Sequence, residues 1–269
     1  MRPNRDPAGP TPTSRALQPT SEQAGTPPPA RFPARRPTLR ARIAGYPVTF
    51  GLLAVTLLVF LLQLLTQAVL GIDLVLVLGA KVNSAILQGE AWRLVTPVFI
   101  HAGGMHLFIN MYSLFAIGPS VERFFGRART LTVYLLSGIA GVVLSLTFSP
   151  NVSVGASGAI FGLLGALGVL LYRNRPVFGS MGRSQLQQIV VVALFNLAMG
   201  LSPGIDNWGH LGGLIYGSGL AWFAGPLLEV VASETDRPRL VDHRPWDEAR
   251  PVLLLGAALL IALSLAAIL

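Results

Sequence analysis

Cysteine is absent from this sequence of 269 residues, and charged residues make up only 12% of it. Without cysteine the chain has no disulfide framework, no thiol nucleophile and no cysteine-ligated zinc or iron–sulfur site. Hydrophobic residues account for 52% of the chain, a balance too apolar for an ordinary soluble domain of this length. A soluble globular protein is therefore excluded.

Seven hydrophobic stretches are each long enough to cross a hydrocarbon core of about 30 Å. They lie at roughly 48–71, 104–121, 130–148, 156–172, 187–204, 207–226 and 251–269. We therefore predict an all-α membrane protein with seven transmembrane helices. The seventh helix, at 251–269, follows the other six after a cytoplasmic linker at 229–250.

The first 46 residues are rich in Pro, Thr, Ser and Arg, and their apolar residues are too scattered to repay the entropy of ordering. We predict a disordered, basic cytoplasmic tail over 1–46. An organellar transit peptide is the less favoured alternative, because five prolines between residues 27 and 37 would break its amphipathic helix.

The basic residues are distributed unevenly along the chain, whose formal net charge is +8. Eighteen of the 20 lie in the tail or in the segments after the second, fourth and sixth helices, and only Lys81 and Arg93 fall elsewhere. This asymmetry follows the positive-inside rule if the N-terminus is cytoplasmic. The charge therefore indicates topology in a lipid bilayer, and it does not indicate a nucleic-acid partner.

The segment from about residue 72 to 104, on the predicted outer side, is long for a turn and apolar for a solvated loop. Two apolar runs flank Trp92, which suggests a piece lying in the membrane interface. An ordinary structured loop is equally compatible with the sequence.

A candidate nucleophile stands at the outer end of the fourth helix, in Gly155-Ala156-Ser157-Gly158. Free backbone N–H groups and the positive end of the helix dipole converge at such a position, where they would stabilise a developing oxyanion. A serine at a helix N-terminus also has a common structural explanation as an N-cap.

His210 lies at a similar depth in the sixth helix and is a candidate base for Ser157. Gly209, Gly213 and Gly217 form a ridge of small residues that would let this helix pack closely on the fourth. Close packing would bring the imidazole within hydrogen-bond reach of the hydroxyl and activate it.

His106 and Asn110 are four residues apart and so share one face of the second helix. Both side chains carry N–H donors that suit an oxyanion hole, although an interhelical hydrogen-bonding pair is the simpler explanation of either alone. A metal site formed by His101, His106 and His210 is a weaker alternative, because no carboxylate and no metalloprotease motif accompanies them.

Together these motifs closely resemble those of the rhomboid intramembrane serine proteases. They are His101-x-x-x-x-His106-x-x-x-Asn110, Gly155-Ala156-Ser157-Gly158 and Gly209-His210-x-x-Gly213, on the second, fourth and sixth helices in that order. Trp92-Arg93 matches a loop motif of the family, and Glu122 with Gly126 is similar to one of its structural features. The resemblance covers roughly 48–226, and we expect residues 47–228 to form the six-helix catalytic core.

The resemblance implies that Ser157 is the nucleophile and His210 the general base of a dyad without a carboxylate third member. His106, Asn110 and the backbone N–H of Ser157 would hold the oxyanion. Asp206 is a possible third member, but a solvated loop acid is favoured. Residues expected to support the site are Trp92, Arg93, His101, Gly155, Gly158, Phe161 and Gly213, with Phe161 standing where relatives often carry tyrosine.

The implied activity is the cleavage of transmembrane protein substrates near the outer leaflet, with no cofactor and no metal. The helix that follows the core is similar to that of many bacterial rhomboids and of the secretory-pathway type. Nineteen of the 20 basic residues are arginine, which suits a GC-rich bacterial genome and favours a bacterial plasma membrane. A catalytically inactive relative that binds transmembrane clients is the main alternative. A small-solute transporter is disfavoured, because the sequence shows neither intramembrane carboxylate relays nor an inverted repeat.

Overall fold

The computed structural model of the chain describes residues 39–202, 204–232 and 238–268. These residues form helices α1 to α9, two short 3₁₀ helices and one two-stranded sheet. The α-helices are α1 Leu39–Gly45, α2 Pro47–Leu70, α3 Leu74–Gly79, α4 Asn83–Leu87, α5 Gly104–Phe148, α6 Ser157–Arg173, α7 Arg175–Met199, α8 Asn207–Ala224 and α9 Trp246–Ile268. The 3₁₀ helices are Ala91–Leu94 and Thr96–Phe99, and the strands are β1 Leu228–Val231 and β2 Arg239–Asp242.

The long helix α5 contains the second and third predicted membrane segments. A kink at Gly126 separates the two segments. This glycine has φ 76° and ψ 170°, a conformation that residues with a Cβ rarely adopt. The seven predicted stretches correspond to α2, the two halves of α5, α6, α7, α8 and α9, although α7 ends at Met199, before the predicted limit of 204. Among the described helices, α2, α5 and α9 are long and apolar enough to cross a membrane, and α6 is a shorter apolar helix. The predicted all-α membrane protein is confirmed.

Helix α2 shows how the chain presents apolar surface outward. Leu58 and Leu65 are 58% and 56% exposed, whereas Thr49, Thr56 and Gln63 are buried against the protein. This arrangement is the inverse of a helix in water, and it fits a helix whose outer face contacts lipid.

Two regions differ from the sequence prediction. The predicted disordered tail lies outside the described residues up to position 38, but its end, Leu39–Gly45, forms helix α1. The predicted linker at 229–250 contains most of β1, all of β2 and the start of α9. The strands pair antiparallel, with Leu228 opposite Asp242 and Val231 opposite Arg239.

The hairpin forms because its ends are anchored to buried polar groups of the helices. Arg129 of α5 donates to Asp242 over 2.7 Å, and the main-chain N–H of Leu228 donates to the Asn174 side chain over 2.6 Å. Those partners are more than 50 residues away in the sequence, so the local sequence pattern does not predict the hairpin.

A buried carboxylate joins the first two long helices. Glu122 accepts hydrogen bonds from the main-chain N–H groups of Val48 and Thr49, over 3.0 and 2.8 Å, and from the Thr49 hydroxyl over 2.7 Å. These N–H groups are among the free donors at the start of α2, where negative charge is favourable. Glu122 therefore fixes the N-terminus of α2 against the middle of α5.

Candidate active site

Ser157 is the first residue of α6 and follows a turn at Gly155. Gly155 has φ +129°, and a Cβ atom there would lie 2.7 Å from Cε1 of the His106 ring. The N–H of Gly155 donates to the carbonyl of Pro97 over 2.8 Å. Glycine is therefore required by both the backbone conformation and the adjacent imidazole, and Ser157 starts the helix as the sequence predicts.

The side chains of Ser157 and His210 are in hydrogen-bond contact. The Nε2 atom of His210 lies 2.9 Å from the Ser157 Oγ atom, across 53 residues of sequence. Such contact is the geometry in which an imidazole accepts the proton of an attacking hydroxyl.

No third residue completes a triad among the residues that the structure describes. The Nδ1 atom of His210 is buried and has no hydrogen-bond partner there. Asp206 is half-buried, and its carboxylate accepts from the N–H of Gly209 over 3.0 Å as the N-cap of α8. Asp206 therefore caps α8 and remains partly exposed just before the helix.

The ring of Phe161 supports the imidazole of His210 from one side. The two ring centroids are 4.6 Å apart and the ring planes differ by 7°. Phe161 lies one helical turn after Ser157, so α6 supplies both the hydroxyl and the surface on which the imidazole rests.

Close approach of α6 and α8 makes the contact between Ser157 and His210 possible. A Cβ atom on Gly217 would lie 2.3 Å from the carbonyl oxygen of Gly162, and one on Gly141 of α5 would lie 2.5 Å from that of Gly209. The backbones of α5, α6 and α8 therefore touch through glycines, as the ridge of small residues predicts for α6 and α8.

His106 and Asn110 occupy different positions relative to Ser157. The His106 ring and the Ser157 hydroxyl both border Gly155, since each lies within 4 Å of a Cβ placed there. Asn110 is buried one turn farther along, and its amide nitrogen donates to the His106 carbonyl over 3.0 Å. That nitrogen carries two hydrogens, so this bond leaves it able to serve a second acceptor.

His101 is buried and packs against the ring of His106. Its ring centroid is 5.1 Å from that of His106, and its main-chain N–H and C=O both bond to the Gln63 side chain over 3.0 Å. Burial, together with the neighbouring His106, lowers the pKa of His101 to about 4, so the ring is neutral at neutral pH. The sequence prediction does not include Gln63, although a polar amide within a predicted membrane helix indicates a hydrogen-bonding role inside the protein.

Trp92 and Arg93 organise the segment before the site. Arg93 forms an ion pair with Glu90 over 2.6 Å and donates to the carbonyls of Ala80 and Val77 at the end of α3. The Trp92 ring N–H donates to the carbonyl of Leu78 over 3.0 Å. These bonds make the segment a folded set of short helices, and it still exposes apolar side chains such as Val77 and Trp92.

A small cavity adjoins the candidate nucleophile. It has a volume of about 30 Å³, and Gly155, Ser157, Gly158, Asp206 and Gly209 are among the residues that line it. Across the described part of the chain, no three His, Asp or Glu side chains are grouped so that they could hold a metal ion.

Comparison with known proteins agrees with the predicted family. The model of the Rhomboid domain matches residues 88–227, more than half of the chain. The chain is 43% identical over 170 residues to the rhomboid protease GluP of Bacillus subtilis. The aligned residues make up 63% of this chain and 33% of that protein. It is 42% identical over 142 residues to the RHOMBOID-like protein 6, mitochondrial, of Arabidopsis thaliana. This alignment includes 52% of this chain and 46% of that protein.

This chain belongs to the rhomboid family of integral membrane proteins. It spans between a third and a half of the length of these two curated relatives.

Proposed function

We propose that this rhomboid is an intramembrane serine endopeptidase that hydrolyses peptide bonds in or near the transmembrane segments of other proteins. The observation that carries the proposal is the 2.9 Å contact between Ser157 Oγ and His210 Nε2 at the N-terminus of α6. The resemblance to a named rhomboid protease supports the same activity.

The geometry is suited to acyl transfer. As the Ser157 Oγ atom bonds to the substrate carbonyl carbon, His210 Nε2 takes the hydroxyl proton. The carbon–nitrogen bond then breaks while His210 returns that proton to the departing amine, which leaves an ester on Ser157. Water activated by the same imidazole hydrolyses the ester and frees the serine.

Three groups are proposed to stabilise the oxyanion of the tetrahedral intermediates. The N–H of Ser157 belongs to the first turn of α6, whose N–H groups have no partner within the helix. The His106 ring borders the same glycine as the serine hydroxyl. Asn110, one turn farther along α5, is the third proposed donor.

The proposed setting is a bacterial plasma membrane with a cytoplasmic N-terminus and an active site that opens to the outer side. The arginine distribution supports this orientation. No cofactor and no nucleic acid enter the proposal, and the partners are transmembrane protein substrates and the bilayer.

The test is active-site labelling of the purified, detergent-solubilised protein with a fluorophosphonate, followed by mass spectrometry. We expect an adduct on Ser157 that disappears in Ser157→Ala and in His210→Ala, because each substitution disables the dyad. Both variants must retain the helical circular dichroism and monodisperse elution of the wild type. A folded wild-type protein that takes no label would refute the protease and favour an inactive, client-binding rhomboid.

A further inference from the structure

Lys81 is the only lysine in the chain, and it is completely buried. It follows α3, in the segment that joins α2 to α5, and it belongs to none of the motifs that define the proposed catalytic site. A buried ammonium is costly unless every one of its donors is satisfied. Its surroundings therefore indicate what it does.

The ammonium of Lys81 uses its three hydrogens on three main-chain carbonyls. It donates to Ser149 over 2.8 Å, to Asn151 over 2.9 Å and to Ser145 over 3.2 Å. Ser145 lies in the last turn of α5, whose carbonyls carry the negative end of the helix dipole. The positive charge is thus balanced at a helix C-terminus and within the loop that follows it.

The side chain of Asn83 adds to the same contact. Its amide nitrogen donates to the carbonyls of Ser149 and Leu146 over 3.0 and 3.2 Å. Lys81 and Asn83 therefore hold the end of α5 and the first residues of the loop between α5 and α6.

The main chain of Lys81 continues the contact toward the nucleophile. Its N–H donates to the carbonyl of Ser153 over 3.0 Å, and its carbonyl accepts from the N–H of Ser153 over 3.2 Å. Ser153 is four residues before Ser157, and the intervening Gly155 is tied to Pro97. The loop at 149–156, which carries the chain from α5 to the nucleophile, is therefore bound along its length to the segment that contains Lys81.

We propose that Lys81 is a positioning residue for the nucleophile. It holds the 149–156 loop so that Ser157 lies at the start of α6 with its hydroxyl in contact with His210. This inference rests on the proposed function, because positioning has a catalytic meaning only where Ser157 reacts. The contacts of Lys81 support positioning over general packing, since they converge on the loop that leads to Ser157. A displacement of about 1 Å at a reacting atom is enough to lower a rate strongly.

The test compares Lys81→Met with the wild type in the rate constant of fluorophosphonate labelling at Ser157. Methionine has a similar length but no donor, so the carbonyls of Ser145, Ser149 and Asn151 each lose the bond from the ammonium. We expect labelling of the folded protein to slow by roughly 10- to 100-fold. Amide hydrogen exchange should become faster in the 149–156 loop and stay unchanged in the first half of α5.

Arg129→Met is the matched control. It also removes a buried cation that donates to a carboxylate and a carbonyl, and it lies in the same half of α5, about 25 Å along the helix from the end that Lys81 binds. We expect lower thermal stability in this control but the wild-type labelling rate in its folded fraction.

Asn83→Ala provides a milder second variant should Lys81→Met fail to fold. It removes one bond to the Ser149 carbonyl, which Lys81 also binds, and one to the Leu146 carbonyl, and it leaves the Lys81 ammonium in place. A smaller slowing of labelling is therefore expected. A wild-type labelling rate in folded Lys81→Met, or in Asn83→Ala where the first variant does not fold, would overturn the positioning role. Loss of label in strict proportion to loss of folded protein would do the same. A wild-type protein that takes no label would instead defeat the proposed function, and the positioning role with it.

Discussion

A Cβ atom on Gly213 would lie only 1.9 Å from the carbonyl oxygen of Gly158. Gly158 follows the nucleophile in α6, and Gly213 lies one turn after His210 in α8. The absence of two side chains is therefore what allows α8 to approach α6 closely enough for His210 to contact Ser157.

Gly213→Ala is expected to lower stability and to abolish labelling of Ser157, because the two helices would have to separate. Overpacking of this kind costs about 1–3 kcal/mol or more. Thermal unfolding in detergent and the fluorophosphonate labelling rate would measure the two effects.

Gly219→Ala on the same helix is the control, because nothing lies within 4 Å of a Cβ at that position. We expect this variant to keep wild-type labelling, with stability unchanged or slightly higher since alanine favours helix. Equal loss of activity in both variants would contradict the close-packing argument.

The parts of this site that the sequence predicts are those with a short-range signature. Glycines at 209, 213 and 217 repeat every four residues on one helix face, and the motif around Ser157 places a hydroxyl at a helix start. Hydrophobic length alone locates the membrane segments, because helices are among the few structures that satisfy backbone groups in lipid.

The parts that escape prediction depend on partners distant in the sequence. Nothing local to Lys81 says that its ammonium binds carbonyls 64 to 70 residues away, and Gln63 holds the main chain of His101 across 38 residues. The hairpin of β1 and β2 is likewise fixed by Arg129 and Asn174. Such contacts depend on how the helices pack against one another. The sequence pattern predicts where the helices lie in the chain, but it does not predict their packing.

Phe161→Ala is expected to slow proteolysis and labelling roughly 10- to 100-fold, since His210 loses the ring that fixes its orientation. Phe161→Tyr keeps the flat face and should stay close to the wild-type rate. The kcat and kcat/KM values on a transmembrane substrate would measure both variants. Full activity in Phe161→Ala would mean that the stacked ring does not orient the base.

Asn110→Ala is expected to lower kcat by up to about 10² to 10³ if its amide donates to the oxyanion. The effect should be larger on turnover than on the affinity for substrate, because the charge develops only in the transition state. A steady-state comparison of kcat and KM tests this expectation.

Ser113→Ala is the control for Asn110, because Ser113 also lies on α5 and also donates to a main-chain carbonyl four residues earlier, that of Ile109. It is expected to leave kcat unchanged. If both variants reduce activity to the same small extent, Asn110 acts only as a hydrogen-bonding residue of its helix.

Treatment with a metal chelator is expected to leave proteolysis and labelling unchanged. The proposed mechanism obtains its nucleophile from the contact between Ser157 and His210, so no metal-bound water is needed to attack the substrate. EDTA and 1,10-phenanthroline should be applied to protein that has been dialysed free of metal, with turnover followed over time. Loss of activity that Zn²⁺ restores would instead assign the histidines at 101, 106 and 210 to a metal site. It would also mean that the serine–histidine contact serves another purpose.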